Sequence, residues 1–181
     1  MRRSVTSGAE LRERELAAWR GMLRVHSRTV AKLDAELDRE HGLSLSSYEV
    51  LLNLADAPAR EMRMGELAEL LLLSRSGLTR LVDRLCREGL LERVNCEDDR
   101  RGSYARLTAA GLARFKSARP SHLRGVREHF LSRLPTAQQE ALGTAFDRIL
   151  QGAGEDVPGG LAKKPLPPGT SSPRPEPEGD L

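Results

Sequence analysis

The stretch from Leu16 to Leu37 constrains the fold more than any other. Leu16, Trp19, Leu23, His26, Val30, Leu33 and Leu37 succeed one another in steps of 3 and 4. That period lays them along one face of an α-helix, with charged residues on the other. The helix reads from about Leu11 to His41, and Gly42 ends it. A lone helix of that length cannot bury its stripe within a small domain. The stripe is therefore expected to pack across a second chain.

The rest of the chain up to Leu150 is punctuated by caps and breakers. Ser44 or Ser46 can cap a helix that runs to about Ala57, with Pro58 beyond it. Met64 to Leu72 reads as a short helix. Ser74 caps the next, Arg75 to Glu88, which Gly89 closes. Two strand-like runs follow, residues 89–94 and Ser103 to Leu107. Thr108 then caps a long helix to about Leu134, in which Pro120 is expected to make a kink. Pro135 and Thr136 open a last helix with Leu142, Phe146, Ile149 and Leu150 on its apolar side.

The order of short helix, tight turn, capped helix and two-stranded ribbon is that of a winged helix-turn-helix. The expected class is mainly α, a winged helix-turn-helix with long N- and C-terminal dimerisation helices. Residues 1–9 read as a flexible N-terminus and 10–151 as the folded domain, its DNA-binding part at about 45–107. Seven of the ten prolines fall after Val157, among Gly and Ser and few apolar residues, so 152–181 reads as a disordered tail.

Composition narrows the function. The formal net charge is +3, and 25 of the 29 basic residues are arginine, whose planar fork suits phosphates and base edges. Genome composition raises arginine too, so the bias is secondary. Apolar runs reach only four residues, as in Leu70 to Leu73, far short of a membrane span. The first ten residues lack the apolar core of a secretory signal, so a cytoplasmic protein is expected. There is no Ser-His-Asp frame, no glycine-rich phosphate loop and no metal-ligand spacing, which argues against an enzyme and against a cofactor.

In the second helix of the motif, Leu78, Leu81, Val82 and Leu85 form a seating stripe. Arg75, Ser76, Thr79 and Arg80 lie toward its N-terminal end on the other side, with Arg84 one turn further on. Short hydroxyls and forks are what base edges and phosphates require. Any solvated helix face could carry them; the ribbon that follows favours the DNA reading. At the ribbon tip, CEDDRRG, an arginine suits a narrow minor groove that focuses negative potential. Asp99 would brace Arg101 as the inserted fork, Arg100 would meet phosphate, and Gly102 would permit the turn. Glu97 and Asp98 would face away from the duplex. A purely solubilising turn is the alternative.

GELAELLLLSRSGLTRLVDRL followed by GLLERVNCEDDRRGSYARLTAAG resembles the multiple-antibiotic-resistance regulator (MarR) family of bacterial transcription factors over residues 10–150. The resemblance implies a homodimer with interlocked terminal helices and a winged domain on each side. It implies double-stranded DNA as partner, at a pseudo-palindromic operator, and repression released by a small aromatic or phenolic ligand. The chain departs from the pattern at Leu72, where the turn often carries glycine; a leucine there is expected to need a turn without positive φ.

The switch is less well marked. Trp19 and His26, two turns apart, could bound a cleft with Tyr48, with Arg24 or Arg28 near an acid group; the favoured reading of Trp19 and His26 is as dimer-core residues. A tryptophan here is similar to the urate-responsive branch of the family, with Asp56 a loose match for its acid. Cys96 beside the wing offers a redox alternative, but the three acids that follow it disfavour the thiolate. His122 and His129 are about 10 Å apart along one helix and cannot share a metal on their own, and His26 and His41 are fifteen residues apart. A winged domain that binds protein instead of DNA is the other class. It would have no need of Arg80 and Arg101, and would show apolar residues at the tip.

Overall fold

The computed structural model describes residues 10–95 and 103–152. Helix α1 spans Glu13–His41. Glu15 accepts the Arg12 backbone N–H at 2.8 Å at its start, and Gly42 closes it at φ 58°. Only Leu33 and Leu37 of its stripe are buried, whereas Trp19 is 54% exposed and Leu23 and Val30 lie open as well.

Helix α2, Leu45–Asp56, is capped by Ser44, whose hydroxyl accepts the Ser47 N–H at 3.2 Å. Asp34 of α1 accepts the Leu45 N–H at 2.7 Å, which fixes the angle between the two helices. Helices α3, Met64–Leu70, and α4, Arg75–Arg87, form the helix-turn-helix. Ser74 caps α4 through the Gly77 N–H, and Gly89 closes it at φ 72°. Strands β1 (Glu61–Arg63), β2 (Leu91–Asn95) and β3 (Ser103–Leu107) form an antiparallel sheet in the order β1-β3-β2. Helix α5 covers Ala109–His129, and α6 covers Thr136–Gly152.

One core joins these elements. Leu37 from α1, Tyr48, Val50, Leu51 and Leu54 from α2, Leu67 from α3, Leu78, Val82 and Leu85 from α4, Ala105 from β3 and Ala118 from α5 are all at most 3% exposed. Two glycines permit close approach. A Cβ at Gly111 would run into the Leu90 carbonyl, and one at Gly125 would lie 2.6 Å from Leu33 Cδ2. The end of α1 is strapped to α5 by polar contacts. Glu40 accepts from Ser121 at 2.7 Å and from Arg124 at 2.7 Å, and Glu36 meets His129 at 2.6 Å.

Several expectations are corrected. The turn after α3 does use positive φ: Leu72 sits at 52°. The leucine N–H bonds the Glu69 carbonyl at 3.1 Å, and the Leu73 N–H bonds Ala68 at 2.9 Å. This paired bonding is the Schellman closure of a helix, and it holds the leucine left-handed at a cost of about 1–2 kcal/mol. Strand β1 is an addition to the ribbon, too short to show alternation. Helix α5 ends at His129, not near Leu134, and passes into a 3₁₀ turn at Leu131–Arg133; Pro120 lies inside α5 without dividing it. Helix α6 buries no residue, and Phe146 and Ile149 are exposed. Among the described residues no helix is long and apolar enough to cross a membrane.

Candidate nucleic-acid interface

Helix α4 is two-sided. Leu78, Val82 and Leu85 are at most 1% exposed and seat it on the core. Arg75, Ser76, Thr79 and Arg80 are all exposed on the opposite side, as the helical period requires. Among the described residues neither Arg75 nor Arg80 has a hydrogen-bond or ion-pair partner, so both guanidinium groups are available to a ligand. Arg75 and Ser76 lie in the first turn of α4, where the helix dipole adds a modest preference for anions.

Arg84, expected among the DNA contacts, is turned back onto its own chain. Its guanidinium donates to the Ser44 hydroxyl at 3.2 Å and to that of Ser47, and Glu88 lies 3.8 Å away. It ties α4 to the capped end of α2. The reason is tertiary: packing brings the start of α2, Ser44 and Ser47, within reach of the long Arg84 side chain.

The ribbon is held to α4 by a pair that sequence reasoning missed. Arg93 on β2 donates to Asp83 Oδ1 of α4 from Nε at 3.0 Å and from Nη2 at 2.7 Å. Its third nitrogen reaches Ser103 Oγ on β3 at 3.3 Å. Strand alternation gives the only hint: Arg93 shares a sheet face with the buried Leu91, so it must point toward α4. No local spacing rule couples it to Asp83. On the other face, Arg106 of β3 stands in register with Glu61 of β1 and Glu92 of β2. It bonds Glu61 at 2.7 Å and Glu92 at 3.3 Å, which locks the three strands together. Arg63 donates to the Tyr104 hydroxyl at 2.7 Å. The expected tip residues Asp99, Arg100 and Arg101, and Cys96 beside them, lie outside the described residues.

Within one chain the expected ligand-pocket residues stand in different settings. Tyr48 is a core residue, stacked on His122 with ring centroids 4.4 Å apart and tilted against Phe115 at 5.6 Å. Burial pushes its phenol up to about 12. Trp19 and His26 stay exposed on α1, where His26 lies in the field of Glu49. The two histidines of α5 also part company: His129 pairs with Glu36, while His122 Nδ1 is buried without a hydrogen-bond partner among the described residues, and burial lowers its basicity. Among the described residues no group of three or more His, Cys, Asp or Glu could hold a metal.

Comparison with known proteins agrees with this geometry. A MarR family model matches residues 41–102, from the end of α1 to just before β3. AbsC, a MarR family transcriptional regulator from Streptomyces coelicolor, is 34% identical with a TM-score of 0.73, covering 81% of this chain and 99% of that one. Sco3205, another from the same organism solved in complex with DNA, is 32% identical with a TM-score of 0.75, covering 83% and 94%. The HTH-type transcriptional repressor YetL of Bacillus subtilis is 29% identical over 111 residues, which are 60% of this chain and 66% of that one. Identity at this level along nearly the whole length of AbsC and Sco3205 goes beyond a shared fold: the chain belongs to the MarR family of transcriptional regulators, which are not enzymes.

Proposed function

We propose that the protein is a sequence-specific DNA-binding repressor that works as a homodimer on a pseudo-palindromic operator. The observation that carries this is α4, whose core face is sealed while Arg75, Ser76, Thr79 and Arg80 are presented together, the arginines unpaired among the described residues. Residues 45–107 form the DNA-binding part, with the ribbon as wing. Sco3205 was solved on DNA and YetL is a repressor, which favours the same role here.

The dimer reading rests on α1 and α6. Trp19, Met22, Leu23, Val25 and Val30 are exposed along α1, as are Phe146 and Ile149 on α6. So much apolar surface on these two helices calls for a second copy. A small aromatic or phenolic ligand, implied by the family, would then find Trp19 and His26 against the second subunit, since Tyr48 is taken up by the core.

Two measurements test this. Light scattering should return twice the 20.0 kDa of one chain; a monodisperse monomer at micromolar concentration would remove the dimer. Gel shift on the DNA upstream of its own gene should show a discrete complex that candidate aromatic acids dissolve. Equal retention of every random duplex would remove sequence specificity.

A further inference from the structure

Leu72 combines two costs. It is 90% exposed, more than any other large apolar residue described, so its side chain packs on almost nothing in its own chain. It also holds φ at 52°, a left-handed conformation that glycine or asparagine adopts with less strain. Neither cost serves the fold. The closure of α3 needs only the backbone of residue 72, and Leu73 makes the adjoining core contact. A leucine that carries both costs is expected to touch something outside the chain.

Its position indicates what. Leu72 lies two residues before Ser74, the cap of α4, and so beside the end of α4 that presents Arg75, Ser76 and Thr79. In a helix-turn-helix that end of the second helix enters the major groove. Polar partners there are already supplied by the arginines and hydroxyls. The one apolar group that the major groove offers for readout is the thymine 5-methyl.

We infer that Leu72 reads a thymine methyl at the mouth of the major groove, a specificity contact beside the polar contacts of α4. The inference rests on the DNA-binding reading above and adds a base preference to it.

The test uses the duplex that the wild-type full chain selects most tightly from a randomised library. It is made once with thymine and once with deoxyuridine, which lacks the methyl. Leu72→Asn keeps the left-handed turn, so its melting temperature should match or exceed wild type. On the thymine duplex it should bind at least about fourfold more weakly, the worth of one buried methyl. On the deoxyuridine duplex wild type and Leu72→Asn should bind alike, and Leu72→Met should restore the thymine preference. An equal loss on both duplexes, or no loss on either, would overturn the thymine contact while leaving DNA binding intact. Failure of the wild type to select any duplex would instead remove the DNA-binding reading, and this contact with it.

Discussion

Arg93 of the wing and Asp83 of the recognition helix are joined by two hydrogen bonds to a single carboxylate oxygen, at 3.0 and 2.7 Å. The pair sets where the ribbon stands relative to α4. The guanidinium is about a third exposed and the carboxylate about half, so it should add little stability, roughly 0–1 kcal/mol. Its effect should appear in DNA binding, because it aligns two surfaces that must meet one duplex. Arg93→Ala and Asp83→Ala should each weaken operator binding while the melting temperature stays within a few degrees. The double variant should be no worse than the weaker single one in a double-mutant cycle. Additive losses would make them independent phosphate and helix contributions.

Arg80 and Arg84 should separate. Arg80→Ala should cost on the order of 1–3 kcal/mol of operator affinity and relax preference at one base pair per half-site. Arg84→Ala should lower the melting temperature by loosening α4 from the α2 cap. Its base preference, measured on a set of single-site operator variants, should stay that of wild type.

The wing tip gives a third test, argued from sequence because it lies outside the described residues. Arg101→Ala should weaken binding by roughly 1–3 kcal/mol, more beside A·T-rich flanks, and flatten the salt dependence by about one ion per subunit. Asp99→Ala should cost less, and little once Arg101 is gone. Strict additivity without flank dependence would reduce the tip to a solvated turn.

Two glycines should respond differently to alanine. At Gly111 the obstacle is the Leu90 backbone carbonyl, which cannot turn aside. Gly111→Ala should destabilise by about 1–3 kcal/mol or prevent folding. At Gly125 the obstacles are the ends of the Leu33 and Glu36 side chains, at 2.6 and 2.8 Å, which can rotate away. Gly125→Ala should cost less in urea unfolding.

Glu40 gives the pH test. Hydrogen bonds from Ser121 and then Arg124 hold its carboxyl down to about 2, below the ordinary 4.5. A depressed carboxyl stabilises the fold above its unfolded value and loses that contribution as pH falls toward the folded one. Glu40→Gln should therefore melt lower than wild type at pH 7. The difference should shrink between pH 4.5 and 2 and be gone below that window. A difference that persists undiminished across that window would point to packing and not charge.

Local rules made much of the molecule legible beforehand. The period of α1, the Ser44, Ser74 and Thr108 caps and the Gly42 and Gly89 stops each act within about one helical turn of sequence, so they could be read without knowing what lies across the domain. The two-sidedness of α4 follows from the same periodicity, and with it the exposure of Arg75, Ser76, Thr79 and Arg80. Tertiary structure decided what distant elements do to one another. Arg84 became a tie because α2 passes beside it, Asp83 and Arg93 met because β2 packs on α4, and Tyr48 went to the core because α5 brought His122 and Phe115 against it. The Leu72 turn is a local exception: its chemistry argued against positive φ, and the paired hydrogen bonds to Glu69 and Ala68 that close α3 outweighed it. Periodicity and capping are short-range, so the chain states them openly. Partners that are ten to eighty residues apart are chosen only when packing brings their backbones together.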